Sequence, residues 1–229
     1  MKLNITNRWD ITPRQAVELQ KELSARITGG RLPETGKILG LDVSYRRGNK
    51  TLTASAVLLS FPGMKVLGTW RKDGVMEFPY IPGLLSFREV PPLLPLLNEI
   101  PEPDIIMVDG AGIAHPRRFG LASHLGLITN KPTVGCAKSY LSGEYSEPGK
   151  DAFERESLEM EGKLAGYVLR SKNRCRPLYI SPGHMLDPAE ALKCILLCLR
   201  GYKLPEPTRL ADLVSKDRDI PGMNVITIE

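Results

Sequence analysis

Apolar residues recur along this chain in two rhythms, and the changes between them mark its elements. Ala16, Leu19, Leu23 and Ile27 fall at helical spacing behind Thr12-Pro13-Arg14-Gln15. That tetrapeptide is a helix start: a capping hydroxyl, a first-turn proline and a glutamine three residues past the cap. Gly29-Gly30 is expected to end the helix. Three β-like runs follow at 38–45, 52–59 and 64–70. Arg46-Arg47-Gly48-Asn49-Lys50 and Phe61-Pro62-Gly63 separate them as turns, so the sheet opens as an antiparallel meander.

Beyond residue 88 the rhythm alternates between helix and strand. Residues 89–100 predict a helix, with Pro91 and Pro92 in its opening turn and Pro95 kinking or shortening it. Ile105-Ile106-Met107-Val108 is apolar throughout, as in a strand covered on both faces. Residues 120–127 predict a helix, and 133–136 a strand. Segments 164–169 and 178–180 predict a hairpin around the basic loop 171–176. Pro188 opens a helix with Leu192, Ile195, Leu196 and Leu199 on one stripe, and Thr208 is the expected cap of another. Residues 151–161 are charged and expected as a mobile insertion, and 216–229 as a loosely ordered tail. A meander followed by alternating helix and strand predicts a mixed-sheet α/β fold, with one domain spanning 1–229.

Composition adds little to this plan. At 229 residues the chain can bury a core without disulfide staples. Its net charge of +5 leans toward a polyanionic partner, a property shared by many basic enzymes that never meet nucleic acid. Cys136, Cys175, Cys194 and Cys198 show no Cys-x-x-Cys spacing and are expected as free thiols. No apolar segment reaches the length of a signal core or a bilayer span, so a cytoplasmic monomer is expected.

Three acids follow apolar runs: Asp42 after Ile38-Leu39-Gly40-Leu41, Glu89 after Leu84-Leu85-Ser86-Phe87, and Asp109 after 105–108. Taken singly, each is better explained by a helix cap or an arginine partner. Asp42 and Asp109 on neighbouring strands would instead converge at one sheet end, where a hard divalent cation relieves their repulsion. Phe78-Pro79-Tyr80-Ile81-Pro82-Gly83 is an aromatic finger stiffened by two prolines. Gly110-Ala111-Gly112-Ile113-Ala114-His115 lets a flat ligand approach the backbone, and is equally a plain strand-to-helix turn. Arg88, Arg117, Arg118 and Lys138 are candidate phosphate contacts. By itself Asp212 reads as a surface acid.

The blocks Gly40-Leu41-Asp42-Val43-Ser44, Pro79 through Glu89, and Asp109-Gly110 through His115-Pro116-Arg117 resemble the endonuclease V family. So do Ala137-Lys138-Ser139, Ser181-Pro182-Gly183-His184 and Pro205-Glu206-Pro207-Thr208-Arg209. The likeness runs from about Trp9 to Asp212. It implies a ribonuclease H-like fold with Asp42 beside Asp109. It also implies a magnesium-dependent endonuclease, with manganese as substitute, that cuts the second phosphodiester 3′ of a deaminated adenine in DNA repair. Single- or double-stranded deaminated DNA is the implied partner, with inosine-containing RNA as an alternative. By position, Asp42, Glu89 and Asp109 match the metal carboxylates, and Lys138 the catalytic lysine. Asp212 falls at a fourth metal position where some members carry histidine. Pro79, Tyr80, Ile81 and Pro82 match a strand wedge. Gly83, Leu85, Gly110, Ala111, Gly112, Ile113 and His115 are the expected base pocket. Hypoxanthine offers O6 as acceptor and N1–H as donor, and backbone groups at 110–113 are expected to answer both. The rivals are a branched- or flap-DNA nuclease on the same fold and a non-catalytic nucleic-acid-binding module.

Overall fold

The computed structural model of the chain describes residues 3–4, 8–45, 50–218 and 220–228. The strands are β1 (Gly36–Tyr45), β2 (Thr51–Phe61), β3 (Val66–Val75), β4 (Ile105–Val108), β5 (Thr133–Ala137), β6 (Arg155–Met160), β7 (Lys163–Leu169), β8 (Leu178–His184) and β9 (Ile226–Thr227). They form one sheet in the order β6-β7-β8-β5-β4-β1-β2-β3-β9. The meander β1-β2-β3 is antiparallel, and β4 and β5 then add in parallel on the β1 side. From β5 outward, β8, β7 and β6 continue antiparallel. The expected mixed α/β sheet is what the chain adopts. The first hairpin turn, at Arg46-Arg47-Gly48-Asn49, lies outside the described residues.

Side-chain alternation along the strands builds two cores. Ile38, Val57, Ile105, Met107 and Val134 face the side covered by α4 (Pro188–Cys198) and α5 (Glu206–Ser215). Leu39, Leu41, Leu58, Ile106 and Val108 face the side covered by α2 (Leu85–Glu99) and α3 (Leu121–Thr129). β4 is apolar at every position because both of its faces are buried. Among the described residues no helix is long and apolar enough to cross a membrane.

Several elements depart from their sequence expectation. α1 (Pro13–Ser24) carries the expected capping box but ends before Ile27. The chain is drawn instead onto the end of β8, where Thr28 N–H donates to His184 Nδ1 and Met185 N–H to Thr28 O. α2 starts at Leu85, not Glu89, so Pro91, Pro92 and Pro95 all lie in its interior. Lost backbone hydrogen bonds there are offset by burial of Val90, Leu93, Leu96 and Leu97. The charged 151–161 stretch is not a loose insertion, because β6 pairs with β7 along the sheet edge. Thr208 is not a cap: α5 begins after Pro205, and the Thr208 hydroxyl donates back to Pro205 O at 3.2 Å. Within the stretch after Ser215, β9 pairs in parallel with β3. All four cysteines are free thiols, with Cys136, Cys194 and Cys198 buried.

Candidate active site

β1 and β4 run parallel, and their last paired residues are Leu41 and Val108. The next residue on each strand is an aspartate, which places Asp42 and Asp109 side by side. Asp42 is not at the end of its own strand, since β1 continues beside β2 to Tyr45. The end that matters is that of β4. Glu89 lies one turn into α2 and is buried, reaching the same charges from the helix side. Asp212 comes from α5, which packs on β1 because Gly40 has no side chain. A Cβ at Gly40 would stand 2.0 Å from Pro207 O.

Hydrogen bonds hold each acid in place. Ser215 donates its hydroxyl to Asp42 Oδ2 at 2.6 Å, and Tyr45 donates its phenol to Glu89 Oε1 at 2.7 Å. Lys138, just past β5, sits 2.7 Å from Asp109 Oδ2 and 3.0 Å from Asp212 Oδ1. Lys216 is a second cation on Asp212, at 2.7 Å. Tyr45, Ser215 and Lys216 carry no motif signal in the sequence. The one available hint is that Tyr45 and Ser215 lie three residues after Asp42 and Asp212.

The electrostatics divide these acids. Burial, then the charges of Asp42 and Asp109, push the Glu89 carboxyl up to about 8 against the Tyr45 bond and Arg88. Burial also raises Asp42, with Asp109 and Asp212 adding to it and Ser215 and Lys138 opposing. Asp212 goes the other way: against burial, Lys216 and Lys138 hold it below the usual carboxylate range. Burial works against the Lys138 charge, but Asp109 and Asp212 outweigh it and keep the ammonium protonated. Asp42 and Glu89 are thus short of positive charge, and their hard oxygen donors suit magnesium or manganese. Among the described residues no three acid, histidine or cysteine groups form a ready-made metal cage. Magnesium needs none, because it binds through one or two carboxylates, waters and substrate phosphates.

Next to the acids lies a cavity of about 370 Å³, lined by Tyr80, Ile81, Pro82, Gly83, Leu85, Glu89, Asp109, Gly110, Ala111, His115 and Lys138 among others. Ser139, Tyr140 and Leu141 complete one part of it. Tyr80 is 67% exposed at its rim, while Phe78 behind it is buried against Phe87. Gly83 holds the finger to the body. His115 Nε2 donates to Gly83 O at 2.9 Å, Arg117 Nη2 at 2.7 Å and Gln20 Nε2 at 3.0 Å. His115 Nδ1 accepts from Arg117 N–H, which fixes that tautomer. Burial and then Arg117 push the His115 pKa down to about 4, so the ring is neutral.

The arginines and the glycine loop differ from expectation. Arg117 points inward to Gly83 and, at 2.6 Å, to Gln20 Oε1. Arg118 lines a separate cleft with Ile27, Ile113 and Asp187. Arg88 lies over the Tyr45 ring at 4.6 Å and reaches the Tyr80 ring at 6.0 Å. It thereby joins the finger to Glu89's partner. In the glycine loop, the Gly110, Gly112 and Ile113 N–H groups donate to Val108 O, Ser181 Oγ and Pro182 O respectively. These three donors are spent inside the fold. Gly110 and Ala111 line the cavity, whereas Gly112 and Ile113 do not.

The sequence pattern of the family described as Endonuclease V matches residues 17–213. A protein named endonuclease V from Methanothrix thermoacetophila is 43% identical over 218 residues, covering 95% of this chain and 97% of its own length. The crystal structure of endonuclease V from Streptomyces avermitilis aligns with a TM-score of 0.84 at 37% identity, covering 95% of this chain and 97% of that one. Endonuclease V of Ciona intestinalis, in complex with a 24mer DNA containing an inosine followed by a ribo-adenosine, aligns with a TM-score of 0.77 at 26% identity. That match covers 89% of this chain and 96% of the other.

Proposed function

This chain belongs to the endonuclease V family, and from that premise we propose that it nicks nucleic acid beside deaminated adenine, using magnesium or manganese. The observation that carries the reading is the continuity of the cavity, from the exposed Tyr80 through Gly110, Ala111 and His115 to Glu89, Asp109 and Lys138. A relative of the same fold holds inosine-containing DNA. The cut is proposed at the second phosphodiester 3′ of the lesion, leaving 3′-hydroxyl and 5′-phosphate ends.

Each residue then has a task. Tyr80, stiffened by Pro79 and Pro82, enters the duplex where the mismatched base leaves it, a base whose extrusion costs only a few kcal/mol. The extruded base enters between Gly83, Leu85, Gly110, Ala111 and His115. Neutral His115, holding Gly83 O, keeps the finger and the pocket wall in register. Asp42, Glu89 and Asp109 would hold the cation, with Asp212 beside them. When bound, the cation supplies charge stabilisation at the phosphate and an activated water. Lys138 is charged and placed to meet a phosphate oxygen or the departing 3′ oxygen, moving from Asp109 as substrate arrives.

The test is a nicking assay with magnesium on matched inosine DNA, inosine RNA and an unmodified branched duplex. Cutting of an inosine strand at the stated bond is the expected result. No cutting of either inosine strand sinks the reading, and preference for the unmodified branch replaces it with a flap nuclease.

A further inference from the structure

Three tyrosines gather beside the cavity, on the side where the chain leaves β5. Tyr140 lies 5.7 Å from Tyr145 and 5.8 Å from Tyr179, ring centre to ring centre, and Tyr145 packs edge-on to Tyr179 at 5.6 Å. The Tyr145 and Tyr179 hydroxyls meet at 3.1 Å. Both rings rest on the apolar cluster of Ala114, Leu158, Ala165 and Val168. Tyr140 donates its own hydroxyl to Gly143 O at 2.8 Å, so its ring is held at both ends. Yet that ring is 50% exposed, and it lines the same cavity as Tyr80 two residues beyond Lys138.

Folding alone does not call for this arrangement. A half-buried tyrosine pair is used to brace a third ring that remains open to solvent. β5 and β8 are antiparallel with Ala137 opposite Tyr179, so the loop entering β8 lies at the carboxylate end of the sheet. That loop exposes Lys172, Arg174 and Arg176. A braced aromatic face beside exposed cations is the combination by which proteins hold unpaired strands: bases stack on the ring and phosphates meet the charges.

We propose that Tyr140, braced by Tyr145 and Tyr179, is a stacking platform for an unpaired nucleobase of the bound strand, next to the phosphate that Lys138 reaches. The proposal rests on the nucleic-acid reading above and extends it with a second aromatic contact, separate from the Tyr80 finger. Tyr80 fills a gap in the stack, whereas Tyr140 supports a base already outside it. Single-stranded or frayed substrate is therefore favoured on this side of the cut.

The experiment measures binding of the full chain to an unmodified single-stranded DNA carrying the fluorescent base 2-aminopurine at one position, in EDTA so that nothing is cut. Tyr140→Leu keeps apolar bulk but removes the ring face. It is expected to weaken binding about tenfold and abolish the 2-aminopurine quench. Tyr140→Phe and Tyr140→Trp are expected to keep both within about twofold. Unchanged binding and quench in Tyr140→Leu overturn the platform, as does equal loss in Tyr140→Phe. Should Tyr140→Leu melt early, the Phe and Trp variants decide, since loss of binding and quench in both overturns the proposal. The parallel inosine assay keeps the two readings apart. Nicking without Tyr140 dependence removes the platform alone, and Tyr140-dependent binding without nicking removes the lesion reading alone.

Discussion

At the scale of single residues, the acids differ in their partners: Ser215 holds Asp42, Tyr45 holds Glu89, and Asp109 and Asp212 share Lys138. Glu89 depends on one phenol, the 2.7 Å bond from Tyr45. A hydrogen bond to a charged group contributes roughly 1.5–3 kcal/mol. Tyr45→Phe is therefore expected to slow inosine cleavage about tenfold while KM changes little. Unchanged turnover would show that Glu89 needs no such support. Gly83 carries a different load. Its φ of +78° suits glycine, and an added Cβ would stand 2.6 Å from Arg117 Nη2. Gly83→Ala is expected to cost about 1–2 kcal/mol in urea unfolding. It should reduce inosine discrimination more than cutting, because it disturbs the finger rather than the acids. These roles were only half legible from residue types. Asp42, Glu89, Asp109 and Lys138 stand out through their motifs, but only a three-residue spacing from Asp42 and Asp212 hints at Tyr45 and Ser215. Residue type does not show where Arg117 points, because an arginine's reach lets it turn inward, as it does to Gly83 and Gln20, as easily as out.

At the scale of elements, α5 positions the fourth acid by lying close on β1. That contact depends on Gly40, whose backbone meets Pro207. Overpacking a tight contact costs about 1–3 kcal/mol. Gly40→Ala is expected to lower stability by that amount and also to lower activity, because α5 carries both Asp212 and Ser215. Full activity with lost stability would separate α5 from the chemistry. Periodicity located α4 and the meander, because those patterns are local, whereas α5 was legible only as a helix start with Thr208 in the wrong place. Periodicity placed the start of α2 four residues late. Leu85-Ser86-Phe87 reads as an apolar run until the finger's contacts with His115, Arg117 and Gln20 show where the loop ends. β6 is hidden in the sequence because half of its residues are charged, and pairing with β7 at the sheet edge requires no apolar alternation.

At the scale of the whole molecule, all three histidines are held neutral. Burial pushes His124 down to about 3 and His115 to about 4, and His184 shifts in the same direction. A histidine depressed in the fold costs nothing above its unfolded pKa near 6.5. Stability is then lost as pH falls toward the folded value, because only the unfolded chain takes up the proton. For His124 the loss is about 2 kcal/mol between pH 7 and pH 5. Glu89 runs the other way, its raised pKa adding stability as pH falls from about 8. The histidine contribution is therefore read as a difference. His124→Phe is expected to flatten the pH dependence of urea unfolding by about 2 kcal/mol over that range, relative to the unsubstituted chain. Parallel slopes would show that the ring titrates normally.

By itself the sequence determined the alternation of helix and strand, the wholly apolar β4 and the motif acids, because patterning and residue type act over a few positions. It also carried the family likeness on which the nuclease reading stands. Only the tertiary structure decided that Lys138 bridges Asp109 and Asp212, that Tyr45 holds Glu89, and that Arg117 locks the finger from within. It likewise brought Tyr140, Tyr145 and Tyr179 together from separate segments. Such contacts join residues distant in the chain, and their partners are chosen by how the sheet and helices pack. No spacing along the sequence encodes that choice.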